Sequence, residues 1–254
     1  MPVYNIPLLN KDADEVLVLD RTTMAYVFTG NISMWNDPRI LALQTAGVKA
    51  KMQNEERVIN LVVRDDSSGS TEVLTKSLNL FSAGDFQKYA GTPSSSKTVW
   101  NGVVAAHGKS KIQYKSGAEG VAAGVLLTPW SIGYSSSGEA ELHSLPIPRF
   151  RQNDRQRAPI KADVNSIAFA MLEKGLQFGN NGDEPSRLTA DISDASGDEA
   201  WPIATFTYLV LRNGLKPAGD RIREGATCDN VKATIEFWNW YAMFFACPFD
   251  AQHC

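Results

Sequence analysis

The six residues VINLVV at 58–63 constrain this chain more than any other stretch, because four β-branched residues and Leu61, interrupted only by Asn60, leave no polar alternation to offer a solvated sheet face. Such a run is a strand covered on both sides, as in a parallel sheet with helices above and below. The next residues, RDDSSGST at 64–71, are a polar turn, and EVLTKSLNLF after them is an amphipathic helix with Val73, Leu74, Leu78 and Phe81 on one side. A strand, a Ser- and Gly-containing turn and a helix in that order place Arg64 at the carboxyl end of a strand, where ligands gather in open α/β sheets. The turn supplies hydroxyls, and the helix start supplies unpaired N–H groups; together they suit an oxyanion. This is equipment for binding rather than for catalysis.

The flanking sequence repeats the alternation. VYNIP and VLVLD (16–20) read as short strands. RTTMAYVFTG is a helix with Met24, Val27 and Phe28 on one face and Gly30 as its stop. NISMWNDPRILALQTAG predicts a turn and a second helix, with Asp37 as N-cap, Pro38 at its first position and Gly47 closing it. GAEGVAAGVLLTP predicts a helix ending before Pro129, and SIGYSS at 131–136 a strand. Residues 139–161 lose periodicity and read as a surface connection. ADVNSIAFAMLEKGL predicts a helix with Ile167, Met171 and Leu172 on one face, and NNGDEPSRLTADISDASGDEA a long loop. WPIATFTYLVLR (201–212) predicts a strand, and CDNVKATIEFWNWYAMFF a last helix with Val231, Ile235, Trp238 and Ala242 aligned. The class is α/β, with too few units for a barrel.

Net charge of −3 over 254 residues leaves no general affinity for nucleic acid or anionic membranes, so an anion must be held by local geometry. No window has the apolar length of a spanning helix; FWNWYAMFFA at 237–246 is short and contains Asn239. The first residues, MPVYNIPLLNKDADE, lack the basic and apolar regions of a secretory signal. Cys228, Cys247 and Cys254 all fall near the end; they fit either a disulfide with one odd thiol or three free thiols, and zinc with His253 lacks a fourth ligand. No metal or cofactor is expected.

Other chemistries fit less well. No G-x-x-x-x-G-K-[ST] is present, so a nucleotide P-loop is excluded. No G-x-S-x-G is present, and His107, His143 and His253 bear no recognisable relation to Ser68, so no catalytic residue is assigned. Trp100, Trp130, Trp201, Trp238 and Trp240 could offer sugar-stacking platforms, but their apolar surroundings favour core packing. The basic run RFRQNDRQR (149–157) is broken by Asp154 and reads as a solvated loop.

Five blocks, VYNIP, LVLDRTTMAYVFTGNISMWNDPRI, RDDSSGST, EGVAAGVLLTPWSIGY and GDEAWPIATFTYLVL, resemble in order and spacing the phosphate-binding proteins of the bacterial phosphate ABC transporter and their eukaryotic relatives. The resemblance spans about residues 2–245. It implies a type II periplasmic-binding-protein fold: two α/β lobes, crossover strands, and a dehydrated phosphate in the cleft. It implies lobe two at 8–195, with 1–7 and 196–254 forming the crossover and the C-terminal part of an incomplete lobe one. Arg64, Ser68, Gly69 and Ser70 match the family's phosphate ligands, and Asp66 matches the carboxylate that orients the arginine. Ser67 stands where the family often has Gly, Ser70 where it often has Thr, and Asp65 adds a second carboxylate. The family's opening βα units have no counterpart before Met1, so the expectation is a piece of a longer secreted or membrane-anchored protein. The resemblance also implies an extracellular or periplasmic location, inorganic phosphate or a similar oxyanion as ligand, and an ABC transporter permease or a membrane-anchored receptor body as partner. The alternative is a degenerate interaction domain that keeps the fold without the ligand.

Overall fold

Residues 60–63 of the VINLVV run form an inner strand of a four-stranded sheet in the computed structural model, which describes residues 1–10, 14–107, 112–152, 158–174, 191–206, 227, 229–230 and 232–238; Val58 lies before the strand and is exposed. The strands are β1 (Pro2–Asn5), β3 (Asn60–Arg64), β4 (Ile112–Lys115) and β5 (Ser131–Tyr134), in the order β1-β5-β3-β4. β3 is parallel to both β4 and β5, whereas β1 closes one edge antiparallel to β5. Val62 and Val63 are fully buried, as a strand covered on both faces requires. A separate parallel pair joins β2 (Val18–Asp20) to β6 (Arg149–Arg151).

Helices cover opposite faces of the main sheet. Leu74 and Leu78 of α4 (Gly69–Phe81) belong to one core with Leu61, Val63, Ile132 and Tyr134. Val121, Ala122 and Val125 of α7 (Gly117–Leu127) form a second core with Val3 and Val62. A Cβ on Gly133 would lie 2.7 Å from the Val62 carbonyl oxygen and 2.8 Å from a Val125 methyl, so glycine is what lets α7 sit this close to the sheet. The chain therefore leaves β3 towards one face and neighbouring β4 towards the other. A crevice opens outside the carboxyl ends of these two strands.

The first helix, α1 (Arg21–Thr29), begins and ends as expected. Asp20 caps it by a reciprocal box with Thr23, and Gly30, at φ 76°, terminates it. The second helix does not run to Gly47. Asp37 and Pro38 start α2 (Pro38–Leu41), which stops after one turn, and Thr45 caps a new helix, α3 (Ala46–Met52), with Gly47 inside it. A second N-cap residue restarts the helix where the apolar pattern alone reads as continuous. The stretch after α4 also holds a short helix, α5 (Asp85–Tyr89), followed by a 3-10 turn (Lys97–Trp100) and α6 (Asn101–His107).

Residues 139–161 are not merely a surface connection. They hold most of α8 (Ser137–Leu142) and all of β6, whose Phe150 is fully buried and bridges to Ile160. One apolar residue between two arginines is too short a pattern to announce a strand. Of the basic run, only residues 149–152 are described; Arg149 pairs with Asp14. Helix α9 (Val164–Lys174) exists, but Met171 and Leu172 are exposed and the buried positions are Ser166 and Ala170. Ser166 Oγ donates to the Lys161 carbonyl at 2.6 Å, and the Ser166 carbonyl accepts from Trp201 N–H at 2.9 Å. This helix docks through small and polar residues, which an apolar pattern cannot reveal. Glu173 holds the neighbouring loop by accepting from the Ser196 and Gly197 N–H groups, both at 2.8 Å.

Residues 201–206 form no strand; Trp201, Ile203 and Ala204 are nevertheless buried, and 207–212 lie outside the described residues. Met1–Tyr208 and Leu209–Cys254 are separate compact units. In the second, residues 229–230 and 232–238 are helical, with Thr227 Oγ1 accepting from Asn230 N–H; Ile235 is exposed. Val231, Ala242, Trp240, Cys228, Cys247, Cys254 and His253 lie outside the described residues. Among the described residues, no helix is long and apolar enough to cross a membrane, and no group of three metal-ligating side chains converges.

Candidate functional site

The crevice at the ends of β3 and β4 is where the sequence-predicted residues meet. Arg64 and Lys115 are register partners at the ends of the two strands, and Asp65 N–H donates to the Lys115 carbonyl at 3.0 Å. Two helix N-termini, those of α4 and α7, face this end of the sheet, and each offers backbone N–H groups with a partial positive charge.

Helix α7 already has its anion. Asp66 Oδ1 accepts from Gly117 N–H at 3.1 Å and from Arg64 Nε at 2.6 Å, while Asp66 Oδ2 takes a second guanidinium bond from Nη2. The carboxylate thus ties the strand end to the helix start and fixes the guanidinium plane by a two-point contact. Arg64 foremost, with the Gly117 N–H, holds the Asp66 carboxyl well below the usual carboxylate range. The same pairing raises the Arg64 pKa further above its already high value, so its charge is permanent. The Arg64 side chain is 12% exposed, and its Nη1 has no partner among the described residues.

Helix α4 has no such partner. Ser68 is its N-cap, and its Oγ accepts from Ser70 N–H at 3.2 Å, leaving its own hydroxyl proton to donate. The N–H groups of Gly69 and Thr71 have no protein acceptor among the described residues. Gly69 is exposed while Ser68 and Thr71 are buried, so the donors run from the solvent edge inward along the first turn. A Cβ on Gly69 would meet no protein atom within 4 Å, so nothing in the protein itself demands glycine there.

The structure therefore brings Arg64, Asp66, Ser68, Gly69 and Ser70 together. It also adds Tyr134, which sequence reasoning missed. Its Oη accepts from Arg64 N–H at 3.1 Å and lies 2.7 Å from Thr71 Oγ1, bridging the strand end and the first turn of α4. Burial pushes the Tyr134 phenol upward, so it stays protonated at neutral pH. Gly117 was missed for the same reason: it reaches the site through the sheet order, not through chain proximity. Asp65 is half-buried and its side chain has no hydrogen bond among the described residues. His143 sits on α8 beside Glu139 at 3.5 Å, and Ser68 Oγ engages a backbone N–H rather than an imidazole. The arrangement can hold an anion; it has no visible means of activating a nucleophile.

The depressed Asp66 has a signed consequence. A carboxyl whose folded pKa lies below its unfolded value near 4 contributes stability above that pH and loses it as pH falls towards the folded pKa. Asp66 is 37% exposed, so solvent screens the pair and the contribution is modest. The Asp66→Asn variant should lose less of its thermal midpoint than the parent between pH 7 and pH 3, measured by circular dichroism. An unchanged acid limb would show that the pair contributes nothing.

No family model matches the chain. It is 28% identical over 241 residues to the phosphate-binding protein PstS of Methanocaldococcus jannaschii, covering 93% of this chain and 56% of that protein. It is 27% identical over 237 residues to the PstS of Xylella fastidiosa, covering 92% and 56%. A candidate serine/threonine-protein kinase/receptor of Acanthamoeba polyphaga mimivirus is 23% identical over 242 residues, covering 95% of this chain and 13% of that protein. Among solved structures, a high-affinity periplasmic phosphate-binding protein (PfluDING) superposes with a TM-score of 0.50 at 17% identity, over 80% of this chain and 52% of that one. The fold is that of the periplasmic binding proteins, mixed α/β with a largely parallel sheet. By sequence the chain is similar to PstS proteins, and it spans a little over half the length of the PstS relatives named above.

Proposed function

We propose that this chain binds inorganic phosphate, or a closely similar tetrahedral oxyanion, as a PstS-like solute-binding or ligand-sensing domain without catalysis. The observation that carries the reading is the contrast between two adjacent helix N-termini. Asp66 bonds the Gly117 N–H at the start of α7, while at the start of α4 the Gly69 and Thr71 N–H groups and the Ser68 hydroxyl carry no carboxylate among the described residues, beside the Arg64 Nη1 that Asp66 leaves unbonded. A buried dianion needs nearly a full set of such donors, because an unpaired charge costs several kcal/mol.

In this reading, residues 8–195 are lobe two, and 1–7 and 196–254 are the crossover and the C-terminal part of lobe one, with β1 reaching the lobe-two sheet through its pairing with β5. The site described is one jaw of the cleft. The domain works outside the cytoplasm, in the periplasm or extracellularly, and hands phosphate to an ABC transporter permease or reports it to a membrane-anchored receptor body. The names of the relatives support both settings. Because one jaw supplies only part of the donor set, affinity in the chain alone should be lower by orders of magnitude than in a complete cleft.

Isothermal titration of phosphate and sulfate decides the matter. The comparison uses the chain and a form that includes any coding sequence upstream of residue 1. Phosphate should release heat with the longer form and bind the chain more weakly. No heat from either would favour a scaffold that has kept the fold and lost the ligand, with Asp65 repelling anions from the loop.

A further inference from the structure

We propose that Ser95 is a positioning residue of the anion site, holding the 67–69 peptides in their donating orientation; this rests on the phosphate-binding reading above. The segment GTPSSSK (91–97) is far from RDDSSGST in sequence, yet it forms a wall beside the start of α4. The Ser95 carbonyl accepts from Ser68 N–H at 2.9 Å, and Ser67 Oγ donates to Ser95 Oγ at 3.1 Å. One residue thus engages both the N-cap of α4 and the residue before it.

That contact fixes what the loop can offer. Ser68 is extended, at φ −148° and ψ 131°, and its N–H is spent on Ser95 rather than on a ligand. Pinning this N–H sets the plane of the 67–68 peptide. The Ser68 Oγ and the Gly69 N–H follow from that plane, because the next torsions are held by the cap bond to Ser70. Ser67 is exposed and would otherwise have no anchor.

Ser95 is itself held from both sides. Ser94 N–H donates to Thr75 Oγ1 at 3.3 Å, and Thr75 Oγ1 donates to the Thr71 carbonyl at 2.9 Å, binding the wall to the second turn of α4. Ser96 N–H donates to Ser94 Oγ at 3.1 Å, and the segment then enters the core at Val99 and Trp100. Three consecutive small hydroxyl residues let each side chain bond to a neighbouring backbone or hydroxyl without bulk. A loop ordered before the ligand arrives spares the complex that ordering entropy, so the wall acts on affinity without touching the anion.

The experiment is a double-mutant cycle on phosphate affinity with Ser67→Ala, Ser95→Ala and the pair, plus Ser95→Thr, in the form of the protein that binds phosphate. Both single variants keep the Ser68 N–H on the Ser95 carbonyl and remove the Ser67 Oγ–Ser95 Oγ contact, so loss of that one neutral hydrogen bond should weaken affinity about threefold to tenfold in each. The pair should be no weaker than the worse single variant, because both remove the same contact. Ser95→Thr, which keeps the hydroxyl, should bind within about twofold of the parent, and thermal midpoints without anion should agree within about 2 °C. Parent-like affinity in Ser95→Ala overturns the inference while leaving the binding reading intact. So does a parallel fall of affinity and unliganded midpoint that Ser95→Thr does not rescue. No heat from the parent overturns both.

Discussion

The Arg64→Met variant should lose phosphate affinity by about a hundredfold to ten-thousandfold, the equivalent of two charge-assisted hydrogen bonds at about 1.5–3 kcal/mol each. The Arg64 side chain is 12% exposed, so little water reaches it. Its loss does more than delete donors. Asp66 would remain, held by the Gly117 N–H alone, and a negative charge would then face the place the anion occupies. The Arg64–Asp66 pair would pass from neutral to net negative. A double variant, Arg64→Met with Asp66→Asn, should therefore bind better than Arg64→Met alone, although worse than the parent. Arg64→Lys should fall between, because an ammonium keeps the charge but cannot hold the two-point contact that fixes its position. Isothermal titration measures all four proteins. An Arg64→Met variant that binds as the parent does would remove the arginine from the site, and with it the case for α4 as the anion-binding helix.

The effect on folding should be much smaller. Asp66 is more than a third exposed, and screened pairs of this kind contribute at most about 1 kcal/mol. Affinity and stability are separable here because the pair lies at the rim of the sheet, beyond the apolar contacts of β3. Val62 and Val63 are buried and hold the strand whether or not its last residue carries a charge.

Legibility in the sequence follows the range of the interactions. The β3–α4 unit was readable because everything that defines it is local: a β-branched run, a polar turn, a capping serine and an apolar stripe. Arg64, Asp66 and Ser68 lie within five positions, so their meeting needed no knowledge of topology. Tyr134 and Gly117 were not readable, since they join Arg64 only through the sheet order β5-β3-β4 and the passage of the chain to opposite faces after β3 and β4. Ser95 is a third such case. The misread elements fail for a related reason. β6 carries one buried residue between two arginines, and α9 turns Ser166 and Ala170 inward while Leu172 is 72% exposed. In β6 the apolar pattern is one residue long, and in α9 the hydrogen bonds of Ser166 decide which face is buried, which an apolar pattern does not record.

Trp100→Ala should be the most destabilising single change outside the site, costing about 3–5 kcal/mol of folding free energy. The indole is fully buried, with ring centroids 6.0 Å from Phe28, 6.0 Å from Phe86 and 6.2 Å from Tyr134. Its removal opens a large cavity among rings that cannot all collapse inward, since Phe28 belongs to α1, Phe86 to α5 and Tyr134 to β5. The loss reaches the site as well. Tyr134 is held on one side by Trp100 and on the other by its hydroxyl contacts with Arg64 N–H and Thr71. A phenol freed to shift would loosen the strand end and the first turn of α4 together, so phosphate affinity should fall even under conditions where the variant remains folded. Trp100→Phe keeps most of the ring and should cost clearly less on both measures. Denaturant unfolding gives the first quantity and titration the second. Were Trp100 instead a stacking platform for a sugar, Trp100→Ala would leave the unfolding midpoint near that of the parent, an outcome its complete burial argues against.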